Sequence, residues 1–298
     1  VSNTSVTMNA ASMENSGFEF SATYRNRDHA LKYDISANVS TLKNKVTSLG
    51  IGKNSYITGA YATYVGQEIG KFYGWVYEGI ARTQDELDGH ATQQGANVGD
   101  CLYKDISGPN GEPDGVIDAY DQTVLGSGLP KVNFGLSTHM EYKGFDLNIS
   151  TYGVLNYHVS DDIYNSLNSC YGYGNKEVGM LDANRWSEDG STYLSSVPRT
   201  YAANNATLGW NDLFSSRKIQ NAAYWKIANV ELGYNFPDKW FGGYVSGVRL
   251  YVSAQNLYTF TGYHGYNVDY AGGTFTPGYN FCSFPSARTF MCGLHFTF

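Results

Sequence analysis

The chain has 298 residues and a formal net charge of −7, and charged side chains make up only 16% of it. Ordinary soluble proteins carry about 25%; here 26 Tyr, 15 Phe and 34 Gly supply strand formers and turn residues instead. The acidic balance excludes the basic stripe that a nucleic-acid partner would want, and no run reaches the roughly 18 apolar residues of a membrane helix. A membrane barrel escapes that second exclusion, because its lipid-facing and lumen-facing residues alternate and keep the average polar.

Val1 opens directly into strand-like sequence with no secretory leader pattern, as the start of a fragment would. A first hairpin is predicted where Phe18, Phe20, Ala22 and Tyr24 face Leu31, Tyr33, Ile35, Ala37 and Val39 across a turn near Arg27-Asp28. A long segment rich in Gly, Asn, Asp and Ser follows, over 83–130. Val132, Phe134, Leu136, Met140 and Tyr142 then alternate with Asn133, Gly135, Ser137, His139 and Glu141. After Lys143-Gly144 the pattern returns with Phe145, Leu147 and Ile149 against Asp146, Asn148 and Ser150, which makes a second hairpin. A second long segment covers 155–217. Strands carrying Val230, Leu232, Tyr234 and Phe236, and then Val248, Leu250, Val252 and Ala254, are joined by the shorter 237–246. A third long segment, 261–285, precedes the last strand. There Phe290, Cys292, Leu294, Phe296 and Phe298 occupy one face, and Thr289, Met291, Gly293, His295 and Thr297 the other.

Alternation of this kind also fits a soluble sandwich with one wet face. Two features favour the membrane. The strands run for about 9–13 residues, enough to cross a bilayer at a tilt. Aromatics sit near strand ends (Tyr142, Phe145, Phe236, Trp240, Tyr258, Phe260), where an interfacial girdle would lie. Short connections alternating with long ones likewise fit a barrel with short turns on one side and long loops on the other.

Chemistry-bearing motifs are sparse. No H-E-x-x-H, G-x-S-x-G or P-loop pattern occurs, so no catalytic residue is assigned and an enzyme is not expected. Four cysteines (Cys101, Cys170, Cys282, Cys292) permit three full pairings. The sharpest constellation is a candidate Ca²⁺ loop, the sole cofactor suggested. Asp105, Ser107 and Asp114 would be its first three ligands, Gly115 its sharp turn, Val116 a carbonyl ligand and Asp121 the closing carboxylate. An insertion, Gly108 to Pro113, departs from the usual spacing, and Asn110 could replace Ser107. The plainer reading is an Asp/Gly turn with solvated acids.

Several segments, in order along nearly the whole chain, resemble the SusC-type family of TonB-dependent transporters. They are Asn15-Ser16-Gly17-Phe18-Glu19-Phe20, the run from Val65-Gly66-Gln67-Glu68 to Tyr77-Glu78-Gly79-Ile80, Tyr103-Lys104-Asp105 with Asp114-Gly115-Val116-Ile117-Asp118, Tyr142-Lys143-Gly144-Phe145-Asp146-Leu147, Lys226-Ile227-Ala228-Asn229 to Asn235-Phe236-Pro237, Ala254-Gln255-Asn256-Leu257-Tyr258, and Pro285-Ser286-Ala287-Arg288. The resemblance implies an all-β fold, a transmembrane antiparallel barrel of 22 strands with an N-terminal plug. Residues 1–298 would be its C-terminal part, about ten strands with long extracellular loops, and the plug and upstream strands would lie outside them.

The implied function is active import of nutrient oligomers across the bacterial outer membrane. TonB would act through the missing N-terminal part, and a SusD-like surface lipoprotein would form a lid. A passive porin and a non-transporting surface barrel are the competing classes. Loop aromatics could stack on sugar rings; Tyr171, Tyr173, Trp186, Tyr263 and Tyr266 are the candidates, with a glycan favoured over a peptide and no charged cluster expected to matter. The final strand, through Phe290, Leu294, Phe296 and terminal Phe298, resembles the signal read by the outer-membrane assembly machinery.

Overall fold

The structure, a computed structural model, describes residues 11–50, 52–170, 175–178, 185–188, 192, 194–200, 209–241, 245–270, 272–281 and 283–297. Strands β1 (Ser12–Ser16), β2 (Glu19–Asn26), β3 (Leu31–Thr41) and β4 (Lys43–Ser48) form one long bent hairpin, β1 on β4 and β2 on β3. Six short strands follow: β5 (Ser55–Thr58), β6 (Tyr61–Tyr64), β7 (Lys71–Gly74), β8 (Tyr77–Ile80), β9 (Cys101–Tyr103) and β10 (Thr123–Ser127), with the helical turn α1 (Gln84–Asp88) after β8. The hairpin of β11 (Val132–Tyr142) and β12 (Phe145–Leu155) leads to β13 (His158–Asp161), α2 (Asp162–Leu167) and β14 (Gln220–Asn221). Then come β15 (Tyr224–Phe236) and β16 (Gly247–Thr261), the two-residue strands β17 (Gly272–Gly273), β18 (Thr276–Pro277) and β19 (Tyr279–Asn280), and β20 (Thr289–Thr297).

The main sheet is an antiparallel meander in the order β2-β3-β11-β12-β15-β16-β20. Its register sorts the side chains by face. One row across all seven strands reads Tyr24, Ile35, Thr138, Ile149, Val230, Ala254 and Phe290. The adjacent row, pointing the other way, reads Thr23, Ser36, Ser137, Ser150, Asn229, Gln255 and Thr289. A one-residue slip anywhere would mix the two sets. The apolar face is the open one: Phe20, Leu136, Phe145, Leu232, Val252 and Leu294 are all exposed, Val252 by 50%. In water such a face would cost about 25 cal/mol for each Å² left uncovered. In hydrocarbon it is at home, so the sheet is the wall of a transmembrane barrel.

Aromatic belts bound the apolar band. At the short-turn end Phe145 packs on Tyr234 at 4.7 Å between ring centres, Tyr234 on Phe236 at 5.0 Å, and Phe236 on Trp240 at 5.8 Å. At the other end Trp225 stacks on Phe260 at 5.4 Å, with Tyr258 against Phe260 at 4.7 Å. At a rise of about 3.3 Å per residue and a tilt of about 40°, Tyr234 and Trp225 lie roughly 23 Å apart along the barrel axis, close to the height of a bilayer's apolar band.

The β11–β12 turn is two residues, Lys143 and Gly144, both at positive φ (48° and 88°), the twist that a tight hairpin needs. All connections at that end are short. Those at the other end are long, as expected, but the first runs over 49–131 rather than 83–130. Among the described residues the sheet has seven strands where chain length suggested about ten. The difference lies in β5–β10, whose three to five residues each are too few to span hydrocarbon, so they fold outside the wall. Phe290, Leu294 and Phe296 stand on the lipid face as the alternation implied, and Phe298 lies outside the described residues.

The face assignment has a direct consequence. Val230→Arg, near mid-height on the apolar face, should destabilise the folded barrel by about 2–4 kcal/mol. Ser137→Arg on the polar face should cost far less. Urea unfolding of the full-length protein in detergent or liposomes, followed by tryptophan fluorescence, compares the two.

Candidate functional site

The polar face carries paired charges. Arg249 on β16 grips Asp146 on β12 through both carboxylate oxygens, with Nε at 3.0 Å, and donates Nη2 to Glu231 at 2.7 Å. This reach passes over Gly233, where any Cβ would lie 2.5 Å from the guanidinium. Asn235 adds a bond to Asp146 at 2.9 Å. Nearby, His139 lies between Asn148 and Glu141, at 2.7 and 2.9 Å. Such two-pronged arginine contacts fix geometry as well as charge.

Towards the long-loop end a bulge at Ala228 resets the register of β15 between its pairings with β12 and β16. Beyond it Lys226, nearly buried, reaches Asp269 of the last long loop at 2.6 Å, and Tyr152 donates to the same carboxylate at 3.1 Å. Val154, Tyr157, Val159, Ala222, Tyr224, Tyr263 and Val268 close a small core just above. Wall and loops are therefore joined by both an ion pair and apolar packing.

Three loops meet at Asp161. One carboxylate oxygen accepts the Tyr263 hydroxyl and Asn280 Nδ2 (3.0 Å); the other accepts Tyr164 N–H at 2.8 Å, capping α2. Asn280 also donates to the Tyr263 hydroxyl at 2.8 Å. All three side chains are buried. Burial, reinforced by the bond to Asp161, pushes the Tyr263 phenol well above its ordinary pKa, so it stays a donor. Further out, Asp100 binds Arg199 Nε and Nη2, both at 2.8 Å, and Asn211 Nδ2 at 2.8 Å, while Asn211 accepts Cys101 N–H at 2.7 Å. Cys101, Tyr103 and Ile117, with Trp75, Tyr77 and Trp210, form the core of this outer layer.

The loops thus form a packed cap, and its openings are the candidate site. One cavity of about 330 Å³ lies between the end of β16 and the last long loop, bounded by Lys226, Asn256, Thr259, Tyr266, Asn267 and Arg288. A second, of about 320 Å³, lies deeper in the cap and is bounded by Tyr77, Tyr164, Asn165, Asn168, Arg217 and Lys218. The sequence pointed to neither set as a group, since each is drawn from distant segments.

The aromatic candidates divide. Tyr266 is 62% exposed and opens onto the first cavity. Tyr263 is structural, its hydroxyl held by Asp161. Trp186 is buried, with its ring 2.4 Å from where a Cβ on Gly99 would be, so it fills the cap interior. Tyr171 and Tyr173 lie outside the described residues, as does Cys282. Cys101, Cys170 and Cys292 are unpaired thiols.

The acidic loop comes together, though around backbone amides. Asp121 accepts Ile106 and Ser107 N–H on one oxygen, at 2.7 and 3.2 Å, and Asp118 N–H on the other at 2.8 Å. Asp105 accepts Gly115 N–H at 2.7 Å, and Asp114 accepts Val116 N–H at 3.0 Å. Ser107 Oγ donates to the Gly108 carbonyl at 3.3 Å. Among the described residues no three His, Cys, Asp or Glu side chains are grouped to hold a metal ion. The D-x-S and D-G-V-I-D-x-x-D spacing is satisfied by capping a turn.

No family model matches the chain. The TonB-dependent receptor P3 of Formosa agariphila is 30% identical to it, over 97% of this chain and 29% of that protein. The TonB-dependent receptor SusC of Bacteroides thetaiotaomicron is 26% identical, over 99% of this chain and 27% of that protein. Among solved structures, the RagAB peptide transporter matches with a TM-score of 0.77 at 22% identity, covering 97% of this chain and 29% of the other. The chain spans under a third of the length of each of these proteins, none of which is named as an enzyme.

Two outcomes follow from the cap. Asp161→Ala strands the buried Tyr263 hydroxyl and Asn280 amide, at about 1–3 kcal/mol for each orphaned group. Amide exchange of Tyr164 and its neighbours should accelerate accordingly, and Asp161→Asn, which keeps an acceptor, should lose less. Burial also raises the Cys101 thiol from 9.0 to about 12. At pH 8 its thiolate fraction is about a thousandfold below that of an ordinary cysteine, so iodoacetamide should label it only after unfolding.

Proposed function

We propose, from the match of this chain to SusC-type TonB-dependent receptors in sequence and in fold, that it forms wall and outer mouth of a bacterial outer-membrane importer for nutrient oligomers. The observation that carries the reading is the pairing of a two-faced sheet with a packed cap. The sheet has one apolar face suited to lipid and one polar face that would line a lumen. The long connections lie at one end, and their described parts pack on the wall and on one another. A cap anchored to the wall through Lys226 and Asp269 suits a mouth that receives a ligand and passes it inward.

Energy would come from TonB, through parts of the protein outside this chain, and a SusD-like lipoprotein would close over the cap; both follow from the relatives. An oligosaccharide is the favoured cargo. Tyr266 offers an open ring beside the amides of Asn256 and Asn267 and the hydroxyls of Thr259 and Thr261, all on one cavity. Flat aromatics with flanking amide and hydroxyl groups suit sugar rings. A peptide cargo is the second reading, favoured by the fold match to the RagAB peptide transporter.

Deleting the gene should abolish uptake of the cognate oligomer by intact cells, with unchanged uptake sinking the importer reading. Calorimetry on the full-length protein with its lid, against neutral oligosaccharides and peptides, identifies the cargo. Tyr266→Ala should weaken glycan binding roughly 3- to 10-fold. Binding of peptides alone, indifferent to that change, would replace glycan by peptide and leave import standing.

A further inference from the structure

The deeper cavity holds a charge that the described residues of the cap leave unanswered. Residues 214–218 are zipped to the segment around β8: Trp75 N–H donates to the Phe214 carbonyl at 3.2 Å, Ser216 N–H to the Trp75 carbonyl at 3.0 Å, and Tyr77 N–H to Ser216 Oγ at 3.0 Å. That fixes Arg217 beside Tyr77. Arg217 is half-buried, and the groups around its guanidinium are the Cys101 and Cys170 thiols and the Tyr77 and Tyr103 phenols. Among the described residues it makes no hydrogen bond and no ion pair, and it lines the 320 Å³ cavity.

The neighbouring acids are committed elsewhere. Asp212 lies 3.8 Å from Lys218 Nζ and accepts Cys170 N–H at 2.9 Å. Asp100 is held by Arg199 and Asn211. Glu177, exposed at the rim, accepts Asn168 Nδ2 at 2.8 Å. An arginine partly withdrawn from water normally finds a carboxylate, because desolvating an unpaired charge is costly. Its planar fork matches two oxygens of a carboxylate or sulfate.

Around it stand groups of another kind. Tyr77 and Tyr164 flank the opening, the latter stacked on His264 at 5.6 Å. The amide nitrogens of Asn165 and Asn168 are used within the cap, on Ser160 and on the Tyr164 carbonyl and Glu177. Among the described residues their oxygens accept no hydrogen bond and are open to hydroxyl groups.

We infer that this cavity seats an acidic sugar of the incoming oligosaccharide, its carboxylate or sulfate taken by Arg217 and its ring and hydroxyls by the flanking tyrosines and asparagines. The inference rests on the import reading and deepens it.

The test uses the full-length transporter with its lid, titrated calorimetrically with a uronic-acid trisaccharide, a sulfated galactose oligomer, a neutral maltotriose and an acidic tripeptide. Arg217→Gln should weaken whichever acidic oligosaccharide binds by roughly 10- to 100-fold and leave any neutral binding unchanged; the two acidic arms separate carboxylate from sulfate. Arg217→Lys should recover little, since a point charge cannot make the forked contact. Should the Gln variant fail to assemble, wild-type protein answers the same question: the acidic oligosaccharide should protect Arg217 from phenylglyoxal, read by peptide mapping. Neutral oligosaccharides bound and acidic ones ignored would overturn the inference while leaving import intact. Arg217-dependent binding of the acidic peptide alone would overturn the sugar assignment. Loss of all uptake-linked binding would remove the import reading and this one together.

Discussion

Backbone amides in hydrocarbon have no water to turn to, and the rest of this structure depends on that constraint. Every strand of the main sheet that lies between two others spends its N–H and C=O groups on both neighbours. The edges, β2 and β20, have one neighbour each within the described sheet and need further strands beside them, because an open edge is not tolerated in lipid. Long strands, tight turns at one end and a strict two-residue period all follow from closing that ladder. The side chains are then free to serve two solvents, lipid outside and water inside.

Above the membrane the rule relaxes, and local chemistry takes over. The described connections at the open end contain short strands and turns, and side chains satisfy part of their amides. Asp121 holds three backbone N–H groups, and Asp161 holds one together with two side-chain donors. Carboxylates used in this way substitute for a sheet ladder. They also make the cap a folded layer, so its openings have definite walls.

Much of the wall was legible in the sequence because each strand announces its own face. The alternation of Phe290, Leu294 and Phe296 with Thr289, Met291 and His295 needs no partner to be read. The seven-strand row from Tyr24 to Phe290 is the sum of such local signals. What the alternation could not show was where it breaks, at the bulge around Ala228, since an extra residue leaves hydrophobicity unchanged while re-aiming everything beyond it. The cap was not legible for a different reason. Tyr77 meets Ser216 across 139 positions, and Asp161 meets Asn280 across 119. Tyrosine content marked the loops as aromatic without telling Tyr266, which is open, from Tyr263 and Trp186, which are packed. The acidic loop shows the converse hazard: its spacing was visible, but the groups its carboxylates bind are amides that no motif records.

Net charge over a whole chain says little about any one cavity. The acidic balance of the chain argues against a nucleic-acid partner, but charges only sense one another over about 10 Å at moderate salt. On the polar face Arg249, Asp146 and Glu231 neutralise one another at contact distance, as Lys226 and Asp269 do at the junction. Such pairs contribute little field beyond themselves. A chain can therefore be acidic in sum, nearly neutral along its lumen and locally cationic in one cavity. What a ligand meets is set by whichever charge lacks a partner, and among the described residues of the deeper cavity that charge is Arg217. Because its surroundings are thiols and phenols of low polarity, the attraction it offers is concentrated there and weakly screened. The acidic exterior would slow the approach of an anion and the cavity would hold it once inside, a division that favours selectivity over speed of capture.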